Sequence, residues 1–471
     1  MSWTRASLLV SFAALLSCDA LYPTGQNPNN CVLNPAICDI SMGQICNADT
    51  KQCEKPGQCA AIAQCPMASA VQCTAGACVP CTADTHCRVW STDRSVSPAL
   101  NICVKATGAA GGTCGQCFTN SECATDAAKA VCDPTTHLCR GCLLHSECDA
   151  TAGDGSGICY RPNDVPTPSS SMIGRCVAAA SIAYLGNNPP GCETMSANPS
   201  SPTKPYCNLT VAMMSGKQYI RVLPSPTPYP ALTLPSGSVT LIGPGRDASP
   251  GATFPSVAVT GAATLNLSDV IVSASAGASA VSCDGNGTLN LVASSVVTTT
   301  DGVVGVEGKN CTIAIDRTRI QAKSASAIVM GKVGTTTFRI VNSAVLSSGL
   351  NVSSIPAILL DSGASGTFNY NTVTRNQTSV FCSNATELSN SLLLGNSGKK
   401  PSASCGTNTS VTDESVSLEM QGDPKLQATA ANRMLCVDQG TKPPGNEIAT
   451  DFFGNPRPLG KGWDKGFHEL E

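Results

Sequence analysis

Charge is scarce in this 471-residue chain. Lys, Arg, Asp and Glu make up 13% of it and the net charge is −3, so nothing marks a nucleic-acid or anionic-membrane partner. Aromatics are 4%. After residue 16 no run of 18 apolar residues occurs, so no later segment is long enough to span a bilayer as a helix. The chain also lacks a phosphate loop, a G-x-S-x-G elbow and an H-E-x-x-H pair; the GPGRD turn at 243–247 has no following Lys-Ser/Thr. No cofactor and no metal is expected.

Cysteine, by contrast, is abundant. There are 28, of which 22 lie between Cys31 and Cys207. Such a number implies an oxidising compartment, and the N-terminus agrees. One positive charge in Met1–Arg5 precedes the apolar stretch Ala6–Leu16, which reads as a signal peptide over 1–17. Leu15-Leu16-Ser17-Cys18 resembles a bacterial lipobox. Cleavage before Cys18 would place lipid on that residue and hold the protein at the outer membrane or cell surface; cleavage near Ala20 would instead secrete it. Residues 18–30 then form a short linker.

From 31 to 176 the cysteines repeat. Cys59/65/73/78, Cys81/87/103/114, Cys117/123/132/139 and Cys142/148/159/176 each open with C-x5-C, and C-x2-C joins neighbouring sets. Ahead of these four modules lies a looser set, Cys31/38/46/53. Modules this short cannot bury a sufficient core, so disulfides must substitute for one, with connectivity left open by the spacing. Zinc at the C-x2-C pairs, with His86, His137 and His145 nearby, is the competing reading, and export favours disulfides. Asp84, Asn120, Glu122 and Glu147 lack the carboxylate density of a calcium loop and read as turn formers. Residues 177–207, rich in Pro and Ser, read as a linker; Cys192 and Cys207 are expected to close a loop at its end.

Beyond 208 a second repeat begins. TLNLSDVIVS (264–273), TLNLVASSVV (288–297), TIAIDRTRIQ (312–321) and TFRIVNSAVL (337–346) share one frame, and FNYNTVTRN (368–376) and ELSNSLLLGN (387–396) continue it. Alternating apolar residues in short segments, at a step averaging about 24 residues, predict strands rather than helices. The expected fold is all-β: a right-handed parallel β-helix of about seven or eight rungs over 208–471, preceded by small disulfide-rich modules, with YIRV (219–222) as its first rung. Asn342, Asn371 and Asn390 are expected to stack as a ladder at one turn. Cys382 and Cys405, about one rung apart, lie within disulfide reach. Cys283 and Cys311 are a second candidate pair, and Cys436 remains over.

The closing text contains Asp423-Pro424-x-Leu426, Leu435-Cys436-Val437-Asp438-x-Gly440 and Asp451-x2-Gly454-x2-Arg457-x6-Asp464-x-Gly466-x2-Glu469. With NYNTVTRN, NSLLLGN and SVTLIGPGRDAS it resembles bacterial exported β-helix proteins of the pectin-lyase-like, choice-of-anchor group. The cysteine-rich front resembles bacterial surface lipoproteins. Lys465, Phe467 and His468 depart from the group's usual tail. The tail, about 423–471, is expected to cap the last rung, with Arg457 held by Asp464 or Glu469 near Asp451. The resemblance brings in polysaccharide lyases and hydrolases, though fold alone does not assign chemistry. Such chemistry needs paired carboxylates or a base with cationic neutralisers. The densest charged group is Asp316, Arg317, Arg319, Lys323 and Arg339, the candidate ligand patch. The favoured reading is a monomeric, surface-anchored, non-enzymatic protein that binds extracellular polysaccharide or another cell surface. A lyase or hydrolase of acidic polysaccharide and a purely structural envelope component are the alternatives.

Overall fold

A computed structural model describes residues 45–47, 52–54 and 65–470, apart from 66, 75–76, 97–98, 106–108, 124–128, 143–144, 149–156, 161–173, 347–354, 377, 395–400, 413–414, 420–422, 443–450, 454–456 and 459–460. The signal, Cys18, Cys31, Cys38 and Cys59 lie outside the described residues. The chain divides into two compact units: 1–123 with 132–139, and 124–131 with 140–471.

In the first unit, short antiparallel hairpins such as Gln72–Thr74 with Ala77–Val79 bring cysteines together. The pairs are Cys65–Cys78, Cys81–Cys103, Cys87–Cys114, Cys117–Cys132 and Cys123–Cys139. Complete modules therefore join first to third and second to fourth, the connectivity that spacing left open. The buried core is small: Cys65, Val71, Cys81, Cys87, Trp90 and Cys114. Trp90 sits on the helix Asp84–Asp93 and donates its ring N–H to the Cys65 carbonyl at 2.8 Å, which satisfies the polar atom of an otherwise apolar anchor. The sulfurs of Cys81, Cys87 and Cys114 lie within 4.8 Å of one another because the module's two disulfides touch. Nine disulfides among the described residues place the protein in an oxidising environment.

The second unit is built on a parallel β-helix. Sheet 1 has ten strands, and sheets 2 and 3 have seven each, all paired in parallel. Counted from sheet 1, six complete rungs result, flanked by partial ones, at the lower edge of the expected seven or eight. The strands form because β-prone residues alternate inward and outward. The inward ones stack in columns: Leu241, Leu267, Leu291, Ile315, Ile340, Phe368 and Leu388 in sheet 1, and Leu232, Val257, Val281, Val306, Ile328, Ile358 and Val380 in sheet 2. Each fully buried aliphatic of this kind contributes roughly 1.5–3 kcal/mol.

Where sheet 1 turns into sheet 3, one residue per rung has positive φ: Asp269, Ala293, Arg317, Asn342, Tyr370 and Asn390. After each but the first, where Val270 follows Asp269, the next residue is a buried hydroxyl or amide, and it accepts the backbone N–H of the rung before. Thr318 accepts from Ser294 N at 3.5 Å, Ser343 from Thr318 N at 3.2 Å, Asn371 from Ser343 N at 2.9 Å and Ser391 from Asn371 N at 3.1 Å. The expected ladder of Asn342, Asn371 and Asn390 is thus one position out. Asn369 pairs with Val341, which brings Tyr370 level with Asn342 and puts Asn371 in the hydroxyl row. Asn342 instead donates to Asp316 at 3.3 Å, and Asn390 to Asn369 at 3.0 Å.

Two boundaries also differ from expectation. Ile182–Leu185 pairs in parallel with Tyr219–Val222, so residues read as linker supply a strand of sheet 1 ahead of YIRV. Cys192–Cys207 closes the loop between them. Its proline and serine hide a short apolar run, Ile182-Ala183-Tyr184-Leu185, that the sheet buries. The fourth module, closed by Cys142–Cys159 and Cys148–Cys176, belongs to this unit: Ile158 and Tyr160 pack with Ile182, Tyr184, Tyr219 and Ile242. The helix Leu209–Met214, capped by Asn208, leans Leu209, Val211 and Met213 on the main core.

The C-terminal tail packs along the outside of sheet 3, where an end cap was expected. Phe452 and Phe467 cover Ala344 and Leu346, and Leu426 and Cys436 cover Leu392 and Leu394. These outward residues are apolar and need cover, which is why the tail runs sideways. Arg457 and Glu469, whose side chains are 0% exposed, form an ion pair at 2.5 Å. Arg457 also donates to the carbonyls of Asp464 at 3.1 Å and Gly466 at 2.7 Å, and its guanidinium lies 4.6 Å from the Tyr370 ring centre. Asp451 accepts from the N–H of Phe453 at 2.9 Å and of Glu469 at 3.2 Å. Burial lowers the pKa of Arg457 and raises that of Asp464.

Cys382 and Cys405 are joined, with Cα atoms 5.4 Å apart. Cys283 and Cys311 carry no bond and stand as buried thiols; the residue in register above Cys283 is Gly308. Cys436 also keeps a buried thiol.

Candidate binding face

The outer surface of sheet 1 carries side chains in rows, because parallel in-register pairing repeats each position about every 4.8 Å. One row reads Ser238, Thr264, Thr288, Thr312, Thr337, Ser365. The next, two residues along each strand, reads Thr240, Asn266, Asn290, Ala314, Arg339, Thr367. Within it Asn290 Nδ2 donates to Asn266 Oδ1 at 2.7 Å, and Asn266 Nδ2 to Thr240 Oγ1 at 3.1 Å. A shallow cleft lies over this row, lined by Thr240, Asn266, Asn290, Ser268 and Val292 and closed at one side by Tyr160 of the fourth module. Tyr160 is held edge-tilted on Tyr219, ring centres 5.2 Å apart, with the Arg175 guanidinium 5.4 Å from its own centre.

A side-chain hydrogen bond fixes that module to the helix: His145 Nδ1 accepts the Cys159 N–H at 3.0 Å, which leaves Nε2 to face Asp269. His145 Nε2 and Asp269 Oδ2 are 3.3 Å apart, and Ser268 Oγ donates to the same carboxylate at 2.5 Å. Burial opposes the charge on Asp269, but the His145 and Ser268 hydrogen bonds outweigh it and hold the carboxyl down to about 2.

The candidate patch does not converge. Asp316, 9% exposed, ends a sheet 1 strand; Arg317, 5% exposed, occupies the positive-φ turn 3.7 Å from Asp316; and Arg319 opens a sheet 3 strand around the corner. Arg319 bridges Asp247 at 3.2 Å and Asp423 at 3.3 Å, linking the GPGRD turn to the tail. Arg246 of the same turn donates to the Arg317 carbonyl at 2.6 Å and lies 3.6 Å from the Phe452 ring centre. Lys323 faces Asp301 at 3.5 Å. Arg339 alone of the four cations stands in a row of the binding face. Neighbours in sequence were mistaken for neighbours in space, since the chain turns a corner at 317–318.

The face holds little acid–base chemistry. Among the described strands of sheet 1 the carboxylates are Asp316 and Glu387, three strands apart, or roughly 14 Å. Glycoside hydrolysis uses carboxyl pairs about 5–9.5 Å apart. The rows offer hydroxyls and amides instead, groups that both donate and accept. The available sequence signal for this face is the outward Thr and Asn of the repeated TLNL segments.

Strand pairing and cysteine connectivity thus define a parallel β-helix protein with disulfide-stapled modules and a polar, ladder-bearing outer face. No family model matches the sequence, and no curated protein matches it. Among solved structures the chain is similar to pectate lyase Pel9A, at 15% identity and a TM-score of 0.37, over 62% of this chain and 96% of that one.

Proposed function

We propose that the protein is a binding module displayed on the cell envelope, taking extracellular polysaccharide on the outer face of sheet 1 without cleaving it. The row Thr240–Asn266–Asn290 carries this reading. Its hydrogen-bonded amides are held at the spacing of the strands, and the hydroxyl row from Ser238 to Ser365 runs beside it. Sugar hydroxyls both donate and accept, so they complement such groups, and Tyr160 offers a ring for the apolar face of a sugar. Preset side chains lose little freedom on binding. A lipid on Cys18 would hold the monomer at the outer membrane or cell surface, a display of the choice-of-anchor kind.

The test uses protein lacking residues 1–18, folded with its disulfides, on immobilised acidic and neutral polysaccharides. Retention should occur without new chain ends, and the double substitution Asn266→Ala/Asn290→Ala should weaken it about tenfold, the effect of roughly 1–2 kcal/mol of lost hydrogen bonding. New chain ends abolished by Arg339→Ala would make the protein a lyase or hydrolase. Neither retention nor cleavage on any polymer would leave a structural envelope role.

A further inference from the structure

Every described cysteine from Cys65 to Cys207 is disulfide-bonded, as are Cys382 and Cys405. Cys283 and Cys311 break that pattern inside the helix core. Cys283 ends the sheet 2 strand Ser279–Cys283, and Cys311 opens the sheet 1 strand Cys311–Asp316 one rung further on. The two therefore lie on one diagonal of a corner between sheets. The other diagonal is glycine. Gly308 is level with Cys283, and Gly287 lies beneath the corner of Cys311, its carbonyl accepting from Thr312 N at 2.9 Å. A Cβ at Gly308 would come within 2.7 Å of Thr336, and one at Gly287 within 2.7 Å of Val259, so both positions exclude larger residues beside the sulfurs. The Cys311 thiol donates to the Cys283 carbonyl oxygen at 3.1 Å.

The same corner recurs, closed, farther along. Cys382 ends a sheet 2 strand in the same inward column as Cys283, through Gly308, Met330 and Leu360. Cys405 opens the sheet 1 strand one rung further on, and these two are bonded. We propose that Cys283 and Cys311 form a second disulfide across this corner when the exported chain meets a disulfide oxidant, stapling two middle rungs.

Cys311 is the attacking sulfur. It is the less buried of the two, so a small-molecule disulfide reaches it first. The Cys311 thiolate, its proton released to solvent, displaces one thiol from a small-molecule disulfide and forms a mixed disulfide. The Cys283 sulfur loses its proton and displaces the second thiol. The pair is oxidised by two electrons, and the oxidant leaves as two thiols.

The experiment oxidises the full chain in a glutathione redox buffer, alkylates it with N-ethylmaleimide in denaturant without reductant, and maps the peptides by mass spectrometry. The expected result is a Cys283 peptide crosslinked to a Cys311 peptide, with Cys436 recovered as its maleimide adduct. In Cys311→Ser, Cys283 should be recovered as the adduct, since its partner is gone. Recovery of both residues as adducts in the unsubstituted chain overturns the proposal, and so does either one linked to a different cysteine.

Discussion

In the cysteine modules the buried apolar residues are mostly half-cystines, with Val71, Trp90, Ala130, Val131 and Ile158 added. In the β-helix they are Leu, Ile, Val and Phe stacked rung on rung, with a disulfide towards each end. The contrast follows from chain geometry. A module of 20–35 residues has too much surface for its volume and must restrict its unfolded state by crosslinks. A solenoid extends a single core by adding rungs, each burying its neighbour, so its core does not have to be built from crosslinks.

Strong reductant should break this comparison most visibly. Each lost disulfide in so small a unit costs about 2–5 kcal/mol, so the region 65–139 should become protease-sensitive while the helix keeps its β signal in circular dichroism. If both melted together, the helix would owe its stability to crosslinks as well. Next in size is Arg457→Met in the tail. It leaves Glu469 buried without its cation and should cost about 3–5 kcal/mol, read as a lower urea midpoint and early proteolysis of the tail. Ser343→Ala removes the acceptor for Thr318 N and should cost about 1–3 kcal/mol, with Ser343→Thr recovering most of it. An unchanged midpoint would show that the turn ladder adds nothing to core stacking.

The smallest effect is set by pH. Asp269 has a folded pKa of about 2, below the unfolded value near 3.9, so its stabilisation is complete above about pH 4 and lost as pH falls towards 2. Asp269→Asn should flatten the unfolding midpoint across that window. A slope that survives the substitution would assign the acid sensitivity to other carboxyls.

The rungs were legible because alternation of Leu265/Leu267, Leu289/Leu291 and Ile313/Ile315 is a local pattern that the stacked core simply repeats. Where pairing is decided by a neighbour, local text misled. Asn371 looked like the successor of Asn342 because both precede a small hydroxyl residue, yet the pairing of Asn369 with Val341 shifts it by one. Ile182–Leu185 vanished among prolines because a four-residue strand has too few alternations to stand out. The charged patch failed for a third reason: a corner at Arg317 sends the side chains of Asp316 and Arg319 to different sheets. Cysteine spacing announced disulfides but held no information on partners, which depend on hairpin register.

The hydroxyl row at the sheet 1 to sheet 3 turn has an orientation. From Ser294 to Ser391, each backbone N–H is answered by a side chain belonging to the rung ahead, never the one behind. A rung is therefore incomplete until its successor is laid down, like a row of tiles whose tongues all point one way. Growth can add or drop a whole rung, since each brings one open donor and fills one. A cut within a rung leaves a donor stranded in the wall.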